Sequence, residues 1–172
     1  MLNKAYNMSL SLKLTRTANA GVLMEIDGVS ILLDGVCEQL PPYLGTPASI
    51  REKLLENMPN VVAFTHKHPD HYDEDYAKSY EDKTLRSVYG PESLPFLEVG
   101  GVEISAHKTR HIGKTDIPHV SFVIKGSATV WFVGDVIYFF KEGKNRFYIN
   151  SCRSQQCFTQ SSTKAFYIFT EV

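Results

Sequence analysis

The chain has 172 residues, of which 43% are hydrophobic and 22% are charged, so it is long enough for one soluble domain with a hydrophobic core. A formal net charge of −1 offers no general attraction for nucleic acid or an anionic membrane, and no apolar run approaches the roughly 18–20 residues that cross a bilayer. Only three cysteines are present, which indicates free thiols in a reducing compartment rather than disulfides, so we expect a cytoplasmic protein.

The beginning of the chain is predicted to be rich in strands. Residues 1–8 lack the apolar core of a signal peptide, and we expect them to be a disordered extension. Short apolar or alternating runs predict three strands, over Leu10–Arg16, Gly21–Ile26 and Val29–Leu33. Asp27-Gly28 between the second and third runs is typical of a two-residue hairpin, and Asp34-Gly35 ends the third run.

Helices and further strands follow. The spacing of apolar residues predicts a helix over Ala48–Asn57, and the β-branched run Val61–Thr65 predicts a buried strand. A second helix is predicted to begin after Asp73, which suits an N-cap, and to reach about Glu81. Four more strands form two predicted hairpins, Phe96–Val99 with Val102–Ala106 and Val120–Lys125 with Thr129–Val133.

The buried strand leads into Thr65–His71, which reads T-H-K-H-P-D-H and contains three of the six histidines. His66 and His68 are two residues apart and point the same way in an extended segment, so their imidazoles suit one metal ion. Asp70 and His71 follow where the chain turns, and they can face a second position beside the first. Four ligand-type side chains within six residues therefore predict a metal site.

These residues carry a resemblance to a known family. T-H-K-H-P-D-H resembles the H-x-H-x-D-H signature of the metallo-β-lactamase superfamily. The string I-L-L-D-G, which contains Asp34, resembles the first motif of that family, and V-W-F-V-G-D, which ends at Asp135, resembles its strand-Gly-Asp motif. Over residues 9–136 the chain looks most like the small bacterial metallo-hydrolases of the branch that includes the ascorbate-phosphate lactonase.

The resemblance implies a first metal position formed by three imidazoles. Two of them are His66 and His68. The third histidine of the family lies on a loop before the strands that lead to the Gly-Asp motif. We choose His111 for this role and keep His119 as the alternative, whereas His107 stands at a strand end and is expected to be structural.

A second position is implied beside the first, with Asp70, His71 and Asp135 as ligands and Asp135 bridging the two ions. We also expect Asp70 to be the catalytic residue, which steers the proton of the attacking water. In the family, the aspartate of the first motif, here Asp34, orients the ligand loop by hydrogen bonding. Zn²⁺ suits the nitrogen-rich ligands, and manganese, iron and nickel are further candidates.

The fold implied by the resemblance is an α/β αββα sandwich, or its N-terminal half or an incomplete version, with mixed β-sheet. We expect the domain to occupy residues 9–136. The hairpins and the strand that ends at Thr65 are expected in one sheet, with the helix over Ala48–Asn57 on its outer face.

The last part of the chain does not follow the family pattern. Residues 137–172 form an atypical tail with no helical or strand period, and the family's late histidine has no counterpart after His119. We therefore expect that the chain is truncated after Asp135 and that only one of the two metal positions is filled. An uncovered sheet face would then favour a homo-oligomer.

These features predict a metal-dependent hydrolase that acts through a metal-activated water on a small ester, lactone or phosphate-containing substrate. One alternative is a metal-dependent nuclease or RNA-processing enzyme of the same superfamily, which the balanced charge disfavours. The other alternative is a non-catalytic remnant that binds metal. We expect a small-molecule substrate and no nucleic-acid or membrane partner.

Overall fold

The computed structural model describes residues 11–41, 43–93, 95–111 and 116–135, together with the backbone of residues 146–150. The expected extension at residues 1–8 lies outside these residues, and so does the tail at residues 137–172 apart from that backbone segment. Within the described ranges, no helix is long and apolar enough to cross a membrane.

The first sheet contains four strands in chain order, β1 (Leu12–Arg16), β2 (Val22–Ile26), β3 (Val29–Leu33) and β4 (Val61–Ala63). The first three are antiparallel, and β4 runs parallel to β3. The turn between β2 and β3 has positive φ at both Asp27 (51°) and Gly28 (82°), as a two-residue hairpin requires. The predicted hairpin is therefore present, and β1 begins two residues later than predicted.

Two helices, α1 (Ala48–Glu56) and α2 (Glu74–Thr84), cover the outer face of this sheet. Leu54 of α1 and Tyr80 of α2 pack against Leu32 of β3 and Val62 of β4, so the predicted place of the first helix is confirmed. The Asp73 side chain accepts a hydrogen bond from the Tyr76 amide, as expected of an N-cap. The second helix ends three residues after the predicted boundary, where a left-handed residue follows it.

The second sheet contains five strands, β5 (Phe96–Val99), β6 (Val102–Lys108), β7 (Val120–Lys125), β8 (Thr129–Gly134) and β9 (Arg146–Asn150). The first four are antiparallel, and β9 runs parallel to β8. The prediction of one sheet for all the hairpins is wrong, because alternation shows that one face of a strand is buried without showing which surface covers it. β9 also lies in the stretch where the sequence shows no strand period.

The main core lies between the two sheets, which each bury one face against the other. Met24 and Ile31 come from the first sheet, and Ile104, Phe122 and Phe132 from the second, and all five are fully buried. The described residues therefore form three layers, with helices, a first sheet and a second sheet. The prediction of an α/β sandwich with mixed sheets is confirmed.

Replacing Phe122 with alanine should lower the free energy of unfolding by about 3–5 kcal/mol, because it opens a cavity between the sheets. Phe96 is the matched control, since its side chain is 73% exposed on β5 and its loss should cost about 0.5 kcal/mol or less. Urea denaturation of both variants measures the difference. Equal destabilisation by the two substitutions would contradict a core between the sheets.

Candidate metal centre

The predicted ligands meet at one edge of the sandwich because of the strand directions. β3 and β4 are parallel, so Asp34 and His66, which follow them, lie at the same edge of the first sheet. In the second sheet, β7 is antiparallel to β6 and β8, so its start lies beside their ends. The Val120 amide of β7 donates to the Thr65 carbonyl oxygen at 3.0 Å, which joins the two sheets at this edge.

Asp34 is only 1% exposed and holds the start of the ligand loop. Its carboxylate accepts hydrogen bonds from the Thr65 amide at 2.6 Å, from the Thr65 hydroxyl at 2.8 Å and from Nδ1 of His71 at 2.9 Å. Its own φ is 47°, a left-handed conformation that is uncommon for residues other than glycine. The structure thus places Asp34 where it orients two parts of the loop.

These hydrogen bonds decide which nitrogen of His66 carries the proton. The Thr65 hydroxyl has one hydrogen, and it donates that hydrogen to the Asp34 carboxylate, which can only accept. The hydroxyl oxygen must then accept from Nδ1 of His66, which lies 3.0 Å away. Nε2 of His66 is consequently left with a free lone pair, the form in which imidazole binds a metal.

The structure brings together the three histidines chosen for the first position. Nε2 of His66 lies 3.0 Å from Nδ1 of His68 and 3.3 Å from Nε2 of His111. The three nitrogens all lie within 4.8 Å of one another, so one ion can contact all of them.

A second group of ligand atoms stands beside the first and shares His66 with it. It contains His66, His71 and Asp135, again with all ligand atoms within 4.8 Å of one another. Nε2 of His71 lies 3.5 Å from the Asp135 carboxylate and 3.8 Å from that of Asp70. Asp70 belongs to neither group and lies at the side of the second one.

The two remaining histidines differ in their distance from these groups. The ring of His119 is centred 5.1 Å from that of His66 and 5.7 Å from that of His111, yet His119 is in neither ligand group. His107 is exposed on β6, and its Nε2 lies 3.1 Å from the Ser105 hydroxyl. Of the two candidates for the third histidine, the structure therefore places His111 with the first pair.

Burial and charge set the protonation of the imidazoles. Burial, with the nearby charge of His71, lowers the pKa of His66 to about 2, so its ring is neutral at pH 7. Burial acts the same way on His71, but the negative charges of Asp34 and Asp135 outweigh it and raise the pKa of His71 to about 10. The second group thus attracts positive charge, and a metal ion there would take the place of the His71 proton.

Gly134 lets β8 approach the ligand loop and aim Asp135 at it. Its φ is 61°, and an added Cβ would stand 2.7 Å from the side chain of Thr65. A larger residue would push the end of β8 away from the loop. The two residues of the Gly-Asp pair thus have different roles. Gly134 permits the close approach of the two sheets, and Asp135 supplies the carboxylate.

The contacts that hold the ligand loop to α1 and to the segment after β3 were not predicted from the sequence. Arg51 of α1 pairs with the Asp73 carboxylate, just after the ligand loop, and donates to the Cys37 carbonyl oxygen at 3.3 Å. The amide of the next residue, Glu38, donates to the Pro69 carbonyl oxygen at 2.7 Å. We call these contacts the loop clamp. Nothing local in the sequence marks Arg51, because its partners are 14 and 22 residues away.

The raised pKa of His71 predicts a pH-dependent stability of the metal-free chain. The unfolded value is about 6.5, so the stabilisation is fully present below pH 6.5 and is lost as the pH rises through about 10. The free energy of unfolding of wild type minus that of His71→Gln should shrink over this range in urea titrations with chelator. His107→Gln is the control, because this histidine is exposed and its substitution should give no such pH dependence. If the difference between wild type and His71→Gln stayed constant over this pH range, the raised pKa of His71 would be contradicted.

Comparison with known proteins bears on the family and the fold of the chain. Residues 13–149 match a family model described as a beta-lactamase superfamily domain, so the match extends past residue 136. No curated protein sequence matches the chain. Among solved structures, an isothiocyanate hydrolase from Delia radicum gut bacteria is similar with a TM-score of 0.55 and 16% identity, over 80% of this chain and 70% of that one.

Two further structures are similar at lower scores. The metallo-beta-lactamase fold protein YhfI from Bacillus subtilis has 17% identity and a TM-score of 0.46, over 84% of this chain and 64% of that one. Igni18, a metallo hydrolase from the archaeon Ignicoccus hospitalis, has 18% identity and a TM-score of 0.46, over 80% of this chain and 69% of that one. Because the family match covers far more than half of its length, the chain belongs to the beta-lactamase superfamily and has the metallo-β-lactamase fold.

Proposed function

We propose that the chain is a metal-dependent hydrolase with two neighbouring metal positions, of which at least the first holds an ion, and that it acts on a small ester, lactone or phosphate-containing molecule. The closeness of three histidine nitrogens carries this proposal. Nε2 of His66 lies 3.0 Å from Nδ1 of His68 and 3.3 Å from Nε2 of His111. The formal net charge of −1 favours a small substrate over a nucleic acid, which a basic surface would attract.

The donor atoms suit a first-row transition metal. Three imidazoles form the first position, and nitrogen ligands favour Zn²⁺, with iron, manganese and nickel as further candidates. At the second position, His71 would supply one nitrogen and Asp135 a carboxylate, and Asp70 at the side of this group would supply a second carboxylate. We expect zinc, with Asp135 shared between the two positions.

The residues of the chain prepare this site for hydrolysis. A bound metal ion supplies Lewis acidity and lowers the pKa of a water molecule in contact with it. Asp34 fixes the rings of His66 and His71, so little reorganisation is needed when an ion binds. Asp70, 8% exposed and 3.8 Å from Nε2 of His71, is placed to hold a proton of the attacking water.

A protein nucleophile is not part of this proposal. Cys37 is the free thiol of the described residues, and it is fully buried, with its sulfur 3.8 Å from the Thr46 hydroxyl and 3.9 Å from the Leu44 carbonyl oxygen. Both of these contacts are with the segment before α1, and neither is with a residue of the ligand loop. Water activated at the metal centre is therefore the nucleophile that we assign.

Protein purified without chelator should contain zinc, and the pair of substitutions His66→Ala and His68→Ala should remove it, because they delete two of three ligands at the first position. Elemental analysis measures the content. His107→Ala is the matched control, since this histidine is exposed and should leave the zinc content unchanged. Wild-type zinc content in the double variant would refute the site.

The same preparations test the activity. Zinc-loaded wild type should hydrolyse at least one member of a panel of esters, lactones and phosphoesters, and chelation or Asp135→Ala should abolish the reaction. A chain that binds zinc and hydrolyses none of the three classes would contradict the proposed function.

Asp34→Asn should weaken zinc binding by about 10- to 100-fold, the usual cost of losing a residue that orients metal ligands. Asparagine tolerates the positive φ of this position, so the change acts mainly on the hydrogen bonds. Asp27→Asn is the matched control, because Asp27 also has positive φ and accepts a backbone hydrogen bond, but from Ser127 in a distant turn. Equal zinc affinities of the two variants would disprove the role of Asp34.

A further inference from the structure

His119 has an unused nitrogen, and its ring lies at the edge of the candidate metal centre. The residue is only 3% exposed, and its Nε2 is buried without a hydrogen-bond partner among the described residues. Its ring lies beside those of His66 and His111, yet it belongs to neither ligand group. Leaving a buried polar atom unsatisfied is costly, so a partner for this nitrogen is expected from outside the described residues.

The other nitrogen of His119 is held by a chain of hydroxyl groups. Nδ1 lies 2.7 Å from the Thr109 hydroxyl oxygen, which lies 3.2 Å from the Ser121 hydroxyl oxygen. The Ser121 hydroxyl donates to the Val133 carbonyl oxygen at 3.1 Å. The amide of Thr109 also donates to the His119 carbonyl oxygen at 3.0 Å, which fixes the two residues against each other.

The order of donors along this chain fixes the tautomer of His119. Ser121 uses its one hydroxyl hydrogen on Val133, so Thr109 must donate to Ser121. The Thr109 oxygen then accepts from His119, which places the ring hydrogen on Nδ1. In the neutral ring, Nε2 carries only a lone pair and needs a donor.

We propose that His119 contacts the substrate through Nε2 and accepts a hydrogen bond from an N–H or O–H group beside the bond that is hydrolysed. The inference rests on the proposed function, and it narrows the substrate class to molecules that carry such a donor. It separates His119 from the metal ligands, because three imidazole nitrogens already form the first position without it. Thr109 and Ser121 are positioning residues that hold the acceptor in place.

Two small chelators probe this contact. Acetohydroxamic acid and N-methylacetohydroxamic acid both bind zinc through two oxygens, but only the first has an N–H group. Zinc-loaded wild type should prefer the N–H compound, and His119→Ala should reduce the ratio of the two dissociation constants by about 3- to 10-fold, the value of one hydrogen bond. Thr109→Val should reduce it partly, because the tautomer is no longer fixed.

The controls separate this inference from the proposed function. His107→Ala should keep both the zinc content and the wild-type ratio. If wild type binds no zinc, the proposed function fails, and the inference fails with it. If His119→Ala loses its zinc, His119 is a metal ligand, and only the inference is overturned.

Two further outcomes would overturn the inference while the metal centre stands. One is an unchanged ratio in a zinc-loaded His119→Ala chain. The other comes from nitrogen-15 NMR of zinc-loaded wild type, which needs no substitution. A proton on Nδ1 of His119 and none on Nε2 is expected, and a proton on Nε2, or a bond from Nε2 to zinc, is contrary to the proposal.

Discussion

The two oxygens of Asp34 accept three hydrogen bonds from the ligand loop, two from Thr65 and one from His71. Because the carboxylate is almost completely buried, these charge-assisted bonds act in a medium of low dielectric, where each is stronger than in water. They fix the backbone of Thr65 at the start of the loop and the ring of His71 at its end. Through the Thr65 hydroxyl they also set the orientation of His66, so one side chain orients the histidine that both ligand groups share.

Thr65 transmits this order from one sheet to the other. Its carbonyl oxygen accepts the first amide of β7, and its side chain fills the space that a Cβ at Gly134 would need. The second sheet can therefore approach Thr65 this closely because it has a glycine at position 134. As a result, Asp135 and His111 lie beside the histidines that follow the first sheet. The candidate metal centre therefore depends on the contact between the two sheets, and neither sheet forms it alone.

Features with local causes could be predicted from the sequence. The Asp27-Gly28 turn and the ligands of Thr65–His71 are set by neighbours in the chain, so their spacing is informative. His111 comes from the other sheet, and only the family pattern suggested it. The loop clamp of Arg51 and the hydroxyl chain of Thr109 escaped prediction, because their partners lie 10 to 22 residues away and ordinary polar residues carry no mark of such pairing. The assignment of strands to two sheets depends on the same long-range packing.

The loop clamp joins the ligand loop to the body of the fold on both sides of its turn, at Pro69 and at Asp73. The conformational entropy of ordering the loop is therefore spent when the chain folds and not when an ion arrives. An ion bound as proposed would leave such a centre without unfolding it, and another would enter the same site. The identity of an ion bound there would then depend on which metals the surroundings supply and on their affinities for nitrogen ligands, and not on which ion was present when the chain folded.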